Sequence, residues 1–229
     1  MLNISEIFLS LQGESASSGR PCSFVRLSGC NLRCVWCDTR YACGGDGGAG
    51  EPPPAVSVMP VPAVISAVEN LYGANAAPSP RLIEITGGEP LLQPETPALC
   101  AGLLALGYEV MVETNGTQDI ARLPHGVSRV VDVKCPGSGE GGSFLMDNIN
   151  RMLPGDELKF VLASIGDAVW AADFCGRHAL AGRCPIIFSP AAPLLPYNIL
   201  AEWMITTRPP GVRLGIQLHK VIWGDKRGV

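Results

Sequence analysis

The 229-residue sequence has no basic block and no surplus of cations: 17 Lys and Arg stand against 21 Asp and Glu, for a formal net charge of −4. Sequence-independent binding to nucleic acid runs on neutralising phosphates with Lys and Arg, so this balance disfavours it. No apolar run approaches the ~20 residues of a membrane-spanning helix, and no membrane partner is expected. The first residues, Met1-Leu2-Asn3-Ile4-Ser5-Glu6-Ile7-Phe8, lack the basic start and apolar stretch of a secretory signal. No internal repeat is visible. An even complement of cysteines is also missing, since there are nine. A chain of this length builds a core without covalent staples, so a disulfide framework is disfavoured. Free Cys in that number, with no export signal, predict a reducing cytoplasm.

What is present is an apolar, alternating chain. Hydrophobic residues make up 47%, enough for a substantial core. The length suits one α/β domain or two small ones. Short apolar strands are predicted at Ser23–Leu27, Leu82–Thr86, Glu109–Glu113, Val127–Val133, Glu157–Leu162, Pro185–Phe188 and Arg213–Leu218. Helical spacing of Val61, Val64, Ile65, Val68 and Leu71 predicts a helix over Val61–Tyr72. Further helices are predicted at Thr96–Leu106, Phe144–Leu153, Ala168–His178 and Asn198–Ile205. Strand, loop and helix in repetition imply a parallel sheet. Gly44–Pro54, rich in Gly and Pro, reads as a mobile loop.

The most informative segment is Cys30-Asn31-Leu32-Arg33-Cys34-Val35-Trp36-Cys37. Iron–sulfur clusters are held by Cys thiolates, and thiols this close together on one loop can wrap a single cubane. Three ligands leave one iron open for an outside group. Zinc is the chemical rival; a structural zinc takes four ligands, and Cys22 or Cys43 stands near enough in sequence to be the fourth. Incidental buried Cys is the third reading. The spacing favours the cluster.

Several predicted strands end in polar turns. Ile85-Thr86-Gly87-Gly88-Glu89-Pro90 pairs glycines, which permit close backbone approach, with a carboxylate that can accept from an ammonium group. Val112-Glu113-Thr114-Asn115-Gly116-Thr117 and Asp132-Val133-Lys134-Cys135-Pro136-Gly137 end two more strands. Polar residues gathered at the carboxyl ends of parallel strands form the usual site of such sheets. Each turn alone is an ordinary turn; three together point to a site.

The Cys triad followed by Gly87-Gly88-Glu89-Pro90 after a strand resembles the radical S-adenosylmethionine superfamily. The finer resemblance is to the 7-carboxy-7-deazaguanine synthase family. It is carried by Leu11-Gln12-Gly13-Glu14, Phe24-Val25-Arg26, Cys37-Asp38-Thr39, Glu113-Thr114-Asn115-Gly116-Thr117, Asp132-Val133-Lys134, Lys159-Phe160-Val161 and Gln217-Leu218-His219-Lys220. This resemblance implies one domain over residues 1–229, folded as an α/β, incomplete TIM-like β/α barrel of parallel strands with the cluster loop at its C-terminal face. It implies that Cys30, Cys34 and Cys37 bind a [4Fe–4S] cluster. S-adenosylmethionine would meet Trp36, Cys37, Asp38, Gly88, Glu89, Asp132, Val133, Lys134 and Ser189. Thr39 would ligate Mg²⁺. Leu11, Gln12, Gly13, Glu14, Arg26, Thr86, His219 and the carboxylate of Val229 would form a pocket for 6-carboxy-5,6,7,8-tetrahydropterin. The implied reaction is hydrogen abstraction followed by radical ring contraction and loss of ammonia. The implied partners are an electron donor such as a flavodoxin or ferredoxin and a second copy of the chain. Two departures stand out. The family's Gly after Leu-Gln-Gly-Glu is Ser15 here, which costs energy if that position needs φ > 0. Cys135, in the third strand end, is expected to be a buried small residue rather than a ligand.

Overall fold

The computed structural model describes residues 1–44, 56–72, 81–224 and 226–229. The expected loop at Gly44–Pro54 lies outside the described residues except for Gly44. Nine strands are described: β1 (Leu2–Leu11), β2 (Pro21–Leu27), β3 (Ser57–Met59), β4 (Leu82–Gly87), β5 (Glu109–Thr114), β6 (Ser128–Asp132), β7 (Glu157–Leu162), β8 (Ile186–Pro190) and β9 (Val212–Leu214). Six α-helices join them: α1 (Val61–Tyr72), α2 (Thr96–Ala105), α3 (Asn148–Arg151), α4 (Ile165–Arg177), α5 (Tyr197–Thr207) and α6 (Leu218–Trp223). The strands form one sheet in the order β3-β1-β2-β4-β5-β6-β7-β8-β9. From β2 onward every pairing is parallel. The sheet does not close on itself, as expected for a partial β/α barrel.

Three expectations are corrected. The sheet is not wholly parallel, because β1, unforeseen in the sequence, runs antiparallel to both β2 and β3. The helix expected at Phe144–Leu153 shrinks to Asn148–Arg151. Before it, Leu145 N–H donates to Gly116 O at 2.9 Å, a tertiary tie that holds this part of the chain out of helix. The strand expected at Arg213–Leu218 stops at Leu214, and Leu218 begins a short helix instead. The chain leaves the sheet to bond across the barrel mouth, with Leu218 N–H donating to Gly13 O at 2.8 Å.

Strand side chains alternate between faces, and here the two faces differ in kind. Outward positions such as Val25, Leu27, Ile83, Ile85, Val110, Val112, Val131, Leu158, Phe160 and Leu162 join Val64, Val68, Leu99, Leu103 and Phe174 of the helices in one buried core. The inward face is layered. Its lower layer is apolar, made of Cys22, Phe24, Leu82, Met111 and Val130, with Phe8 packed against it. Phe8 and Phe24 stack with ring centroids 5.0 Å apart. Further along the same inward faces come Arg26, Glu84, Thr86, Glu113 and Asp132, joined by Lys159 of β7. The sheet thus carries an apolar plug below and a polar floor above, at the carboxyl ends of its parallel strands.

Ser15 does adopt the left-handed conformation, with φ 62°, which costs a non-glycine residue about 1–2 kcal/mol. Its hydroxyl returns part of that by accepting from Ser17 N–H at 3.1 Å. Ser15→Gly is expected to raise stability by under ~1 kcal/mol, read as a higher urea midpoint with an unchanged slope.

Candidate active site

A cavity of about 220 Å³ opens above the polar floor. It is bounded by the turn after β1, the loop from Cys30 to Cys43, the ends of β4 to β7, the turn after β8 and the C-terminal segment. The three cysteines Cys30, Cys34 and Cys37 line it together. All nine cysteines of the chain are free thiols.

The cysteine loop is seated by its neighbours. Gly29 and Cys30 N–H groups donate to the Ala42 and Cys43 carbonyls, closing the loop at its base. The turn after β4 locks beneath it: Gly88 N–H donates to Leu27 O at 3.0 Å and Glu89 N–H to Gly29 O at 2.8 Å. A Cβ on Gly88 would stand 2.0 Å from Gly29 O, so only glycine permits this approach. The paired glycines therefore serve backbone contact first; both also line the cavity.

Glu89 is fully buried and faces away from the cavity. Its carboxylate accepts from Leu91 N–H (2.9 Å), the Thr114 hydroxyl (2.8 Å) and Asn115 N–H (2.6 Å). Burial pushes its carboxyl up to about 7 in spite of these donors. Glu89 itself does not line the cavity, whereas the Gly87-Gly88 part of the same turn does. Instead Glu89 fixes Asn115, whose amide donates to Asn31 Oδ1 at 3.0 Å and to Cys30 Sγ at 3.7 Å. Leu32 N–H is a second donor to Cys30 Sγ, at 3.4 Å.

Of the two candidate fourth thiols, Cys22 lies in the apolar layer and is excluded. Cys43 is at hand, its Sγ 3.9 Å from Cys37 Sγ. Hydrogen bonding from Cys43 holds the Cys30 and Cys37 thiols down to about 6 and keeps Cys43 itself protonated. Burial pushes Cys34 up to about 11. Cys135 is fully buried in the main core, as expected.

Beside the triad, Lys134 Nζ meets Asp132 Oδ2 at 2.5 Å and stands 5.1 Å from the Trp36 ring centroid. Burial works against the charge on Lys134, but Asp132 raises it well above the ordinary range. Two buried polar atoms of this wall, Trp36 Nε1 and Asp132 Oδ1, have no protein partner. Val133 points into the helix-covered core, and Ser189 packs against Gly215; neither side chain lines the cavity. Asp38 pairs with Lys220 at 2.8 Å, and Thr39 Oγ1 lies 3.8 Å from Cys37 Sγ.

The opposite wall is more heavily charged than the sequence suggested. Arg26 Nε donates to Glu6 Oε1 at 2.6 Å, and the Tyr41 hydroxyl donates to the same oxygen at 2.8 Å. Lys159 is ion-paired with both Glu14 and Glu113. Burial would neutralise Lys159; Glu113 and Glu14 hold it well above its ordinary range instead. Gln12 donates to Glu84 at 2.6 Å. The C-terminal segment closes over these groups: Gln217 donates to Glu14 at 2.8 Å, and the His219 ring rests on Gly13. Burial lowers the His219 imidazole below its usual range. Leu11 and Val229 complete the lining. Glu6, Glu84, Glu113, Lys159 and Gln217 were not assigned roles from sequence. The available signal was a charged residue at an inward position of an apolar strand, as in Ile83-Glu84-Ile85 and Leu158-Lys159-Phe160.

Residues 24–130 match the family model for the radical SAM superfamily. The chain is 41% identical to the 7-carboxy-7-deazaguanine synthase of Koribacter versatilis (strain Ellin345), with 97% of each chain covered. The chain belongs to the 7-carboxy-7-deazaguanine synthase family. It is also 40% identical to the synthase of that name from Chlorobaculum tepidum, covering 100% of this chain and 97% of the relative. The crystal structure of QueE from Escherichia coli superposes with a TM-score of 0.75 at 24% identity, covering 95% and 94% of the two chains, and supports the fold.

Membership in this radical SAM family implies a [4Fe–4S] cluster and S-adenosylmethionine, and the residues present fit both. Three thiols face one cavity, and two N–H donors aim at Cys30 Sγ, the kind of contact that tunes cluster sulfur. The unpartnered Trp36 Nε1 and Asp132 Oδ1 offer a donor and an acceptor to a polar cofactor beside them.

Gly88→Ala is expected to push the turn off Gly29 and to lower stability by about 1–3 kcal/mol. Iron bound per chain after anaerobic reconstitution is expected to fall with it, measured against wild type by iron and sulfide analysis.

Proposed function

We propose that this chain converts 6-carboxy-5,6,7,8-tetrahydropterin to 7-carboxy-7-deazaguanine and ammonia, the reaction its family is named for. The observation that carries the reading is the juxtaposition in one cavity of the Cys30–Cys34–Cys37 loop with Gln12, Glu14, Arg26, Glu113 and His219. When bound, the cluster and S-adenosylmethionine supply a carbon radical that removes hydrogen from the pterin.

The protein's own contribution is placement. A reduced pterin presents several N–H donors, and Glu14 and Glu113 offer carboxylate acceptors whose positions Lys159 fixes. The substrate carboxylate calls for Arg26, which lines the cavity and whose Nε is paired with Glu6. His219 and Val229 cover the pocket, which excludes water from a reactive radical. On the cofactor side Asp132, Lys134, Trp36 and the Gly87-Gly88 backbone bound the space.

A Mg²⁺ ion fits as a sparse site. Thr39 supplies one hydroxyl, and no group of three acidic, His or Cys ligands arranged for a metal ion occurs among the described residues. One protein oxygen suits Mg²⁺, which keeps its waters and takes substrate oxygens, so the substrate carboxylate would complete it. An electron donor such as a flavodoxin or ferredoxin and a second copy of this chain complete the reading, in a reducing cytoplasm.

Cys34→Ala is expected to remove the brown colour of the reconstituted protein and all methionine release from S-adenosylmethionine. Anaerobic incubation with the carboxypterin and a reductant, read by mass spectrometry, is expected to give the deazaguanine acid with wild type and none with the variant. Full turnover by Cys34→Ala would overturn the assignment.

A further inference from the structure

Glu84 interrupts the apolar run of β4, is 2% exposed, and turns inward among the substrate-pocket residues. An ionised carboxylate buried to this degree calls for a cation, and the cations of this wall are committed elsewhere: Arg26 to Glu6, and Lys159 to Glu14 and Glu113. What Glu84 does touch is the Gln12 amide, which donates to it at 2.6 Å, and the Glu113 carboxyl, which lies against it. Two carboxyls in contact in a poorly hydrated pocket do not both ionise; they share a proton. Lys159 Nζ, 2.6 Å from Glu113 Oε1, decides the sharing. The pair it makes with Glu113 leaves the proton on Glu84.

Cys22 and Arg26 face Glu84 from β2, Glu14 from the turn after β1 and Glu113 from β5. Of these, Arg26 alone favours a charge on Glu84, and it is already paired with Glu6. Burial first, and Glu113 second, push the Glu84 carboxyl up to about 8.

Gln12 gains a fixed orientation from the same contact. Its Nε2 donates to Glu84, and its Oε1 accepts from Glu14 N–H. An inverted amide would lose both bonds.

We propose that Glu84 is a positioning residue of the substrate pocket: an uncharged acid that accepts from Gln12 and donates to Glu113, holding both side chains in place against the bound pterin. The inference rests on the pterin reading above. It makes the pocket wall pre-organised, so binding does not have to order these side chains. It also makes the wall sensitive to alkali. Once Glu84 ionises, two adjacent negative charges repel and the wall loosens.

The test compares wild type, Glu84→Gln and Glu84→Ala as anaerobically loaded enzymes, with kcat and KM for the carboxypterin measured from roughly pH 6.5 to 9.5. Glutamine reproduces the protonated acid, accepting from Gln12 and donating to Glu113. The expected result is a wild-type KM that climbs above about pH 8, a Glu84→Gln KM within about threefold of wild type at neutral pH but without that climb, and a Glu84→Ala KM raised about tenfold. In all three kcat changes less than KM. Circular dichroism and urea unfolding check the fold; if Glu84→Ala does not fold, the pH profile of Glu84→Gln decides alone. The inference is overturned if Glu84→Gln is as impaired as Glu84→Ala, if it retains the alkaline rise, or if folded Glu84→Ala binds the pterin normally. Wild type that cleaves S-adenosylmethionine but leaves the carboxypterin untouched would sink the pterin reading, and this inference with it.

Discussion

The site depends on one buried carboxylate that never faces it. Glu89 accepts from Leu91, Thr114 and Asn115, and so ties the end of β4 to the end of β5. Its own N–H donates to Gly29 O, at the root of the cysteine loop. Asn115, held in turn, reaches Asn31 and Cys30 Sγ. One side chain therefore sets the relative position of two strand ends and of the loop that carries the thiols. Three donors on a buried carboxylate are strong, charge-assisted contacts, and their loss would leave a desolvated acid at the junction. The rigidity that a reactive cluster requires of its surroundings comes from this contact beneath the floor.

The layered inner face follows from the same strands. In a sheet each side chain's face is set by parity, so a polar residue two positions beyond an apolar one lands directly above it. Leu82, Glu84 and Thr86 climb one strand in this way; Met111 and Glu113, and Val130 and Asp132, climb the next two. The apolar layer beneath keeps water from entering below, so every charge above it must find a partner within the wall. That explains why the ions occur in sets: Arg26 with Glu6, Lys134 with Asp132, and Lys159 between Glu14 and Glu113. Glu84 is the group for which the sets leave no cation, and protonation is the remaining way to bury it.

Much of the molecule was legible in the sequence, and the misses share a cause. Helix α1 and strand β7 fall where periodicity and apolar content place them, because their burial is one-sided or complete and local. The Cys loop and the Gly87-Gly88 turn could be read because their chemistry is concentrated in few consecutive residues. Strand β1 escaped because Asn3, Ser5, Glu6 and Ser10 dilute its apolar residues, and its direction is set by pairing with β2 rather than by its own pattern. The strand expected at Arg213–Leu218 ends early because the chain turns away to bond Gly13, about 200 residues away in the chain. Glu89 could be assigned to the cofactor turn from its motif, but its ties to Thr114 and Asn115 at the end of β5 could not, because no local spacing reveals them. Glu84 and Lys159 were passed over as single charges within apolar runs, although an inward charge in such a run is costly unless the site uses it.

An unclosed sheet leaves a seam, and the way this chain fills it bears on access to the cavity. Strand β9 is one edge, and the segment after it returns over the mouth to the opposite wall, reaching Gly13, Glu14 and Asp38. These ties are side-chain bonds and one backbone bond, in place of a ladder. The Lys220–Asp38 pair is partly exposed, and pairs of that kind contribute about 0–1 kcal/mol. Helix α6 spans six residues and buries none of them fully, so little apolar area is lost when it lifts. Segments with few buried contacts open at low free-energy cost without disturbing the structure below. The barrel floor is held by continuous parallel pairing and a buried core; its mouth is closed by a few individual bonds with little buried apolar area. His219 and Val229 lie in this weakly held part of the cavity lining, where a ligand on the proposed reading would enter and be covered. This division of strength allows both while the cysteine loop stays where Glu89 puts it.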